Sequence, residues 1–303
     1  MAKSVKNIAA SVHRRLLNKA KESSRPFNEL LQYFAIERFI YRLSKSPHAD
    51  KFILKGALMF SAWCGPASRP TMDIDLLGKI DNRLEVISAA IKDACLMAVE
   101  ADGISFNAET VEAVRITEDA EYEGVRIRVH GRLGNARVSV QIDIGFGDVI
   151  VPNPSTVSYP AILDFPAPEL KGYTMESTIA GKFQAMVKLG VLNSRMKDFY
   201  DIWVLSRTFD FQGKILAEAV EKTFEKRNTP VNMNTAIFDP SFGKDGNKNV
   251  QWQSFISKTK LTNAPESFEE AIAVVKLFLE PLAASIVERR TFNSIWTAPG
   301  PWR

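Results

Sequence analysis

Two cysteines, Cys64 and Cys95, and three histidines, His13, His48 and His130, are all that 303 residues hold of those types. The cysteines stand far apart, which supports neither a disulfide framework nor a thiolate zinc site. The scattered histidines speak against an imidazole-rich metal centre, so any metal here takes oxygen ligands. Long apolar runs are missing too. The stretch around Phe278 to Val287 is broken by Glu280 and Pro281, well short of the roughly 20 residues of a membrane span. The Lys-rich N-terminus lacks the apolar core of a signal peptide. These absences predict a protein of the reducing cytoplasm with no membrane segment. A strong charge bias is also lacking: 39 Lys and Arg against 35 Asp and Glu give +4, which permits a polyanion partner without requiring one. An apolar fraction of 46% with 24% charged residues excludes wholesale disorder.

What is present sorts into two parts. From Ser4 to Ala20, Ile8, Val12 and Leu16 recur at steps of four, the stripe of an amphipathic helix ringed by Lys6, Arg14, Arg15, Lys19 and Lys21. That basic surface reads either as a solvated helix face or as a phosphate-contacting arm. A turn at Ser23 to Pro26 leads to a second helix through Leu30, Phe34, Phe39 and Leu43, and another is expected over Leu84 to Val99. Val125, Ile127 and Val129 alternate with Arg126, Arg128 and His130. Val138, Val140, Ile142 and Ile144 alternate with Ser139, Gln141 and Asp143, so the two runs predict an antiparallel hairpin. Prolines between Pro152 and Pro168 mark a connection, and the boundary is placed at 1–160 and 161–303. The second part reads as mostly helical, with Thr174 capping a helix to Gly190. Further helices are expected from about Arg195, over Lys214 to Lys226 and over Ser267 to Val287, the last two separated by a loop from Pro240 to Asn249.

The chemistry concentrates in one run. Thr71-Met72-Asp73-Ile74-Asp75-Leu76 alternates as a strand does, which points Asp73 and Asp75 to the same side. Two carboxylates at i and i+2 can hold Mg²⁺, a hard cation that keeps positions open for triphosphate oxygens. Asp143, on the polar face of its own strand, is the candidate third ligand. Gly56, at the end of an apolar strand with a loop following it, lets backbone approach phosphates closely, and Lys55 beside it joins the nucleotide-binding candidates. In the second part Lys182 lies about 60° from Ile179 on the helical wheel, at the edge of the buried stripe, where it could neutralise phosphate charge. Asp198 and Asp201 are neighbours on one helix face. Each element has a plainer alternative: a solvent-facing strand edge for the acids, a snorkelling lysine, surface ion pairs with Arg195 or Lys197. Their coincidence favours a site.

The stretches FILKGALMFSAWCGPASRPTMDIDLLG, VQIDIGFGDV, YTMESTIAGKFQAMVKLG and NSRMKDFYDIWVL, in this order, resemble the AbiEii/AbiGii toxin family of nucleotidyltransferases. The likeness extends over most of the chain. It implies an α+β fold of the DNA polymerase β-type nucleotidyltransferases, a mixed sheet with flanking helices, followed by a helical C-terminal lobe. It implies a toxin of a type IV-like toxin–antitoxin pair, often a phage defence. In some relatives the reaction attaches nucleotides to the 3′ ends of tRNA; a founding branch is associated with GTP binding. The family's Asp-x-Asp falls on Asp73 and Asp75, its lysine on Lys182 and its later aspartate on Asp198, with Asp201 beside it. Thr71 falls where certain relatives carry a hydroxyl that their antitoxin can phosphorylate. The family signature usually reads Gly-Ser or Gly-Gly where this chain has Gly56-Ala57, so one hydroxyl contact to phosphate is absent and backbone N–H groups must replace it.

Together these observations predict Mg²⁺-dependent transfer of a nucleoside monophosphate from an NTP to an acceptor hydroxyl, with tRNA as the acceptor and an antitoxin as protein partner. Asp73 and Asp75 would hold metal, Lys182 would contact the triphosphate and Asp198 would orient it. Arg69, just before the acidic strand, could bind phosphate bidentately or form an ordinary surface ion pair. Two other functions fit the same fold: a small-molecule, antibiotic-type nucleotidyltransferase and a non-catalytic GTP-binding regulator.

Overall fold

The computed structural model describes residues 7–65, 70–118, 122–261 and 263–303. The chain divides into two compact units, residues 1–147 with 155–173, and residues 148–154 with 174–303.

The first unit opens with α1 (Ile8–Glu22) and α2 (Phe27–Lys45). Asn7 caps α1 by accepting from the Ala10 N–H at 2.9 Å. Val12, Leu16 and Ala20 are its buried stripe, as the spacing predicts. Of the surrounding cations, Arg15 binds Asp164 at 2.9 Å and lies over the Phe165 ring. Next come β1 (Phe52–Lys55), α3 (Ala57–Cys64), β2 (Asp73–Gly78) and α4 (Leu84–Leu96). The expected loop after Gly56 is therefore a helix for its first eight residues. Strands β3 (Ile104–Glu118), β4 (Tyr122–Leu133) and β5 (Ala136–Phe146) form a meander, of which β4 and β5 are the predicted hairpin. The short β6 (Ser155–Ser158) and β7 (Glu169–Gly172) complete the sheet.

This is one seven-stranded mixed sheet in the order β3-β4-β5-β2-β1-β7-β6. The pairs β2–β5 and β1–β7 are parallel and the others antiparallel. The alternation read from sequence sorts its two faces. Val125, Ile127, Val129, Val140, Ile142, Ile144, Ile74 and Leu76 are buried in one core with Phe34, Phe39 and Leu43 of α2 and Ile87, Ile91 and Ala94 of α4. Their polar neighbours occupy the other face. A buried charge network ties α2 to the rest of this unit. Asp102 accepts from Arg38 Nε at 3.0 Å and from Arg42 Nη1 and Nη2 at 2.7 and 2.9 Å, while Glu37 accepts from Arg38 at 3.0 Å and from the Ile162 N–H at 2.7 Å.

The second unit is helical apart from the two-stranded pair β8 (Phe211–Gln212) and β9 (Ile295–Trp296). Its helices are α5 (Met175–Leu189), α6 (Met196–Thr208), α7 (Gly213–Lys226), α8 (Gly246–Thr259) and α9 (Phe268–Val287). Thr174 caps α5 as expected, accepting from the Ser177 N–H at 3.2 Å. The helix α8 occupies part of the stretch expected as a loop. Its first turn is fixed by Asp245, which accepts from the Asn247 and Lys248 N–H groups at 2.7 and 3.2 Å. Aromatic rings build the core here, among them Phe199, Phe242, Phe268 and Trp252. No described helix is long and apolar enough to cross a membrane.

Candidate functional site

Strand β2 brings Asp73 and Asp75 to the polar face of the sheet, both partly buried. The register places them within a charged lattice. Asp75 lies directly across from Lys55 of β1 on one side and from Asp143 of β5 on the other, and Asp143 lies across from Arg126 of β4. One rung across four strands thus reads Lys55, Asp75, Asp143, Arg126, two adjacent acids flanked by a cation on each side, with strands about 4.8 Å apart. The next rung holds Asp73, Gln141 and Arg128. The Lys55 side chain reaches over β2: a methyl group added at Gly145 of β5 would stand 2.8 Å from its Nζ.

Gly56 is where this chain needs glycine. Its φ is +70°, in the region that L side chains avoid, and it is the residue from which α3 starts. A Cβ there would overlap Oδ2 of Asp75, with Cγ and Cβ of the same aspartate at 2.7 and 2.8 Å. The Asp75 carboxylate consequently packs onto the backbone at the start of α3, an end whose unpaired N–H groups attract anions. Ala57, the first residue of α3, is buried.

Asp143, the expected third ligand, is a buried carboxylate whose two oxygens each accept from Arg126 at 2.8 Å, one from Nε and one from Nη2. This bidentate fork is the strong form of a charge-assisted hydrogen bond. Among the described residues no three or more His, Cys, Asp or Glu side chains gather to hold a metal ion. The pair Asp73 and Asp75 nevertheless suits Mg²⁺, which is commonly held by one or two carboxylates together with substrate phosphates rather than by an all-protein cage. Thr71 is partly buried, its hydroxyl 3.5 Å from the Asp73 carbonyl oxygen. It lines a cavity of 580 Å³ with Lys19, Arg25, Tyr33, Ser61 and Tyr159. Arg69 lies outside the described residues.

In the helical unit, Lys182 of α5 is held between two acids of the first turns of α6. Its Nζ stands 2.7 Å from Asp198 Oδ1 and 2.7 Å from Asp201 Oδ2. The lysine side chain is 15% exposed and Asp201 fully buried, so this trio is no surface ion pair.

The family model of the nucleotidyl transferase AbiEii toxin, type IV toxin–antitoxin system, matches residues 38–274, a range that includes Lys55, Asp73, Asp75, Asp143, Lys182, Asp198 and Asp201. The chain belongs to this AbiEii family. The fold expected from sequence, a mixed sheet with flanking helices and a helical C-terminal lobe, is the one observed. Two solved structures are similar. JHP933 from Helicobacter pylori has a TM-score of 0.44 at 12% identity, covering 94% of this chain and 96% of that one. A second H. pylori chain, provisionally described as a nucleotidyltransferase, has a TM-score of 0.44 at 14% identity, covering 86% of this chain and 97% of that one. No protein of curated function matches.

Sequence reasoning passed over Arg126, the partner of Asp143. Its alternation with Val125 and Ile127 was visible, but only the β4–β5 register shows that it faces Asp143.

Proposed function

We propose that this AbiEii-family toxin transfers a nucleoside monophosphate from an NTP to an acceptor hydroxyl, on the 3′ end of tRNA, and thereby blocks translation until its antitoxin neutralises it. The observation that supports this most is the seating of Asp75 against Gly56 at the start of α3, with Asp73 two residues back on the same strand face. That arrangement sets two carboxylates of one strand face beside the start of α3, where unpaired backbone N–H groups favour the phosphates of a nucleotide.

Asp73 and Asp75 are the residues that would hold Mg²⁺. The bound ion would supply positive charge to the α-phosphoryl group and the departing pyrophosphate. Atoms balance simply: the acceptor oxygen bonds to the α-phosphorus, the bond from that phosphorus to the bridging β-oxygen breaks, pyrophosphate leaves, and the acceptor proton passes to solvent. Lys55, on the carboxylate rung, offers an ammonium to phosphate oxygens. Arg126 keeps Asp143 in place, and Asp143 becomes a third metal ligand only where Arg126 releases it. The role of Lys182 is contact with the triphosphate, its ammonium fixed by Asp198 and Asp201. Arg69 and Thr71 complete the nucleotide-binding set.

The test is incubation of the purified protein with Mg²⁺, total tRNA and each α-labelled NTP in turn. Label should enter tRNA with at least one NTP, disappear with chelator, and be abolished by Asp73→Asn. No labelled RNA with any of the four would overturn the tRNA acceptor.

A further inference from the structure

The polar face that carries Asp73 and Asp75 does not end with them. Along β4, Arg126, Arg128, His130 and Arg132 all point to that face. Arg137 stands on β5 directly opposite Arg132, and Ser139 opposite His130. Arg128, His130, Arg132 and Arg137 are all exposed, and none of the three arginines forms an ion pair with a described residue. One acid on β3, Glu112, lies across from Arg128 without pairing with it.

Two features of the β4–β5 end of this row are hard to explain by stability. Like charges placed directly across two strands destabilise a hairpin, yet Arg132 and Arg137 are so placed, next to the turn at Gly134. The adjoining β3 strand carries a bulge, its register jumping between Asn107 and Glu112. Thr110 stitches it, its hydroxyl donating to the Asn107 carbonyl at 2.7 Å and accepting from the His130 N–H at 3.0 Å. The bulge bends β3 beside the arginines and leaves a concavity of 660 Å³ lined by Asn107, Thr110, His130, Arg132, Arg137 and Ser139.

We propose that this row is the docking track for the phosphate backbone of the acceptor RNA, with the Arg132–Arg137 cradle as its far anchor. The proposal rests on the transferase reading above and names where its polymer substrate lies. Successive residues on one strand face are about 6.8 Å apart, so the row from the Arg128 rung to the Arg132 rung presents positive charge over about 14 Å. A single phosphate or a small acceptor would use one end of it. A linear polyanion uses all of it, and the anion removes the repulsion between the facing arginines.

Binding is tested without catalysis, using the full-length protein and a 5′-fluorescein RNA hairpin with an unpaired 3′ tail, by anisotropy across a salt series. Wild type should bind with an affinity that falls steeply as salt rises. R132Q/R137Q should bind more weakly, with the slope of log affinity against log salt reduced by about 1.4 to 1.8, the loss of two phosphate contacts. R132K/R137K, which keeps the charges, should recover most of the slope. Neither variant should unfold below the wild-type temperature, R132Q/R137Q slightly above it because the facing charges are gone, and both should bind NTP as wild type does, since the residues are exposed and lie away from the carboxylates. Asp73→Asn should bind the hairpin with the wild-type slope. An unchanged affinity and slope for R132Q/R137Q would overturn the track while leaving the transferase reading standing. Wild-type transfer by Asp73→Asn, with the slope change intact, would overturn that reading and leave the track as an RNA-binding surface.

Discussion

The carboxylate of Asp75 sits on the α-carbon of Gly56 with no room for a methyl group between them. The acidic strand and the start of α3 are therefore one constructed unit: the helix can begin where it does only because glycine supplies a φ of +70°, and Asp75 can lie where it does only because that glycine has no side chain.

Gly56→Ala is expected to act on both halves of that relationship. Positive φ costs a non-glycine residue about 1–2 kcal/mol, and the displaced Asp75 adds to it. A urea titration should show the loss of stability, and nucleotide transfer should fall further than stability explains. Ser substituted at Ala57, by contrast, should leave stability within about 1 kcal/mol, since the change is a single buried hydroxyl at a helix start.

Arg126 and Asp143 form a bidentate pair with the aspartate buried and the arginine one-third exposed. Removing either partner alone, by Arg126→Gln or Asp143→Asn, should destabilise the protein by about 1–3 kcal/mol. The double variant should cost clearly less than the sum, because the pair is lost once. A double-mutant cycle in denaturant measures this; strict additivity would show that the two side chains act apart.

Lys182 holds Asp198 and Asp201 together in a largely buried position. Lys182→Met leaves two acids facing each other without their cation and should destabilise by about 3 kcal/mol. Its effect on transfer must accordingly be read at a temperature where the variant is folded. Asp198→Asn keeps the Asp201 contact and should be the milder change, as thermal unfolding of the two variants would show.

Glu37 predicts a pH dependence. Burial pushes its carboxyl up to about 7, outweighing the Ile162 N–H and Arg38, which pull it down. The ordinary value of 4.5 applies to the unfolded chain. The folded state therefore holds this proton more tightly, and its contribution to stability is full below about 4.5 and is lost as pH rises through about 7. The stability difference between wild type and Glu37→Gln should shift in favour of the glutamine variant from pH 5 to pH 8, measured by denaturation midpoints. A difference independent of pH would show that Glu37 is ionised throughout.

The parts of the fold legible in the sequence are those with one unbroken period. The stripes of α1 and α5, the alternation of β4 and β5, and the facing of Asp73 with Asp75 all follow from spacing. The strand β3 was not legible, because its bulge flips the phase. Ile104, Phe106 and Ala108 are buried at even positions, and beyond Thr110 the inward positions are odd, such as Ala113. The helix α3 was hidden for another reason. Its residues continue the apolar run of β1, and only the backbone at Gly56 divides them. The helix α8 carries few apolar residues and takes its start from the Asp245 cap. Among the candidate residues, the acids of β2 and, separately, Lys182 of α5 stood out by their off-pattern chemistry. The rung from Lys55 to Arg126 did not, because it depends on the pairing register of four strands at once.

The proposed transfer requires Asp73 and Asp75 to act together on a nucleotide's phosphates. It is tested most directly by labelled NTP, Mg²⁺ and total tRNA, with wild type, Asp73→Asn and Asp75→Asn compared at equal folded concentration. Label in tRNA with wild type and a loss of at least about a hundredfold in each variant is the predicted result. Transfer by either variant at the wild-type rate would contradict it.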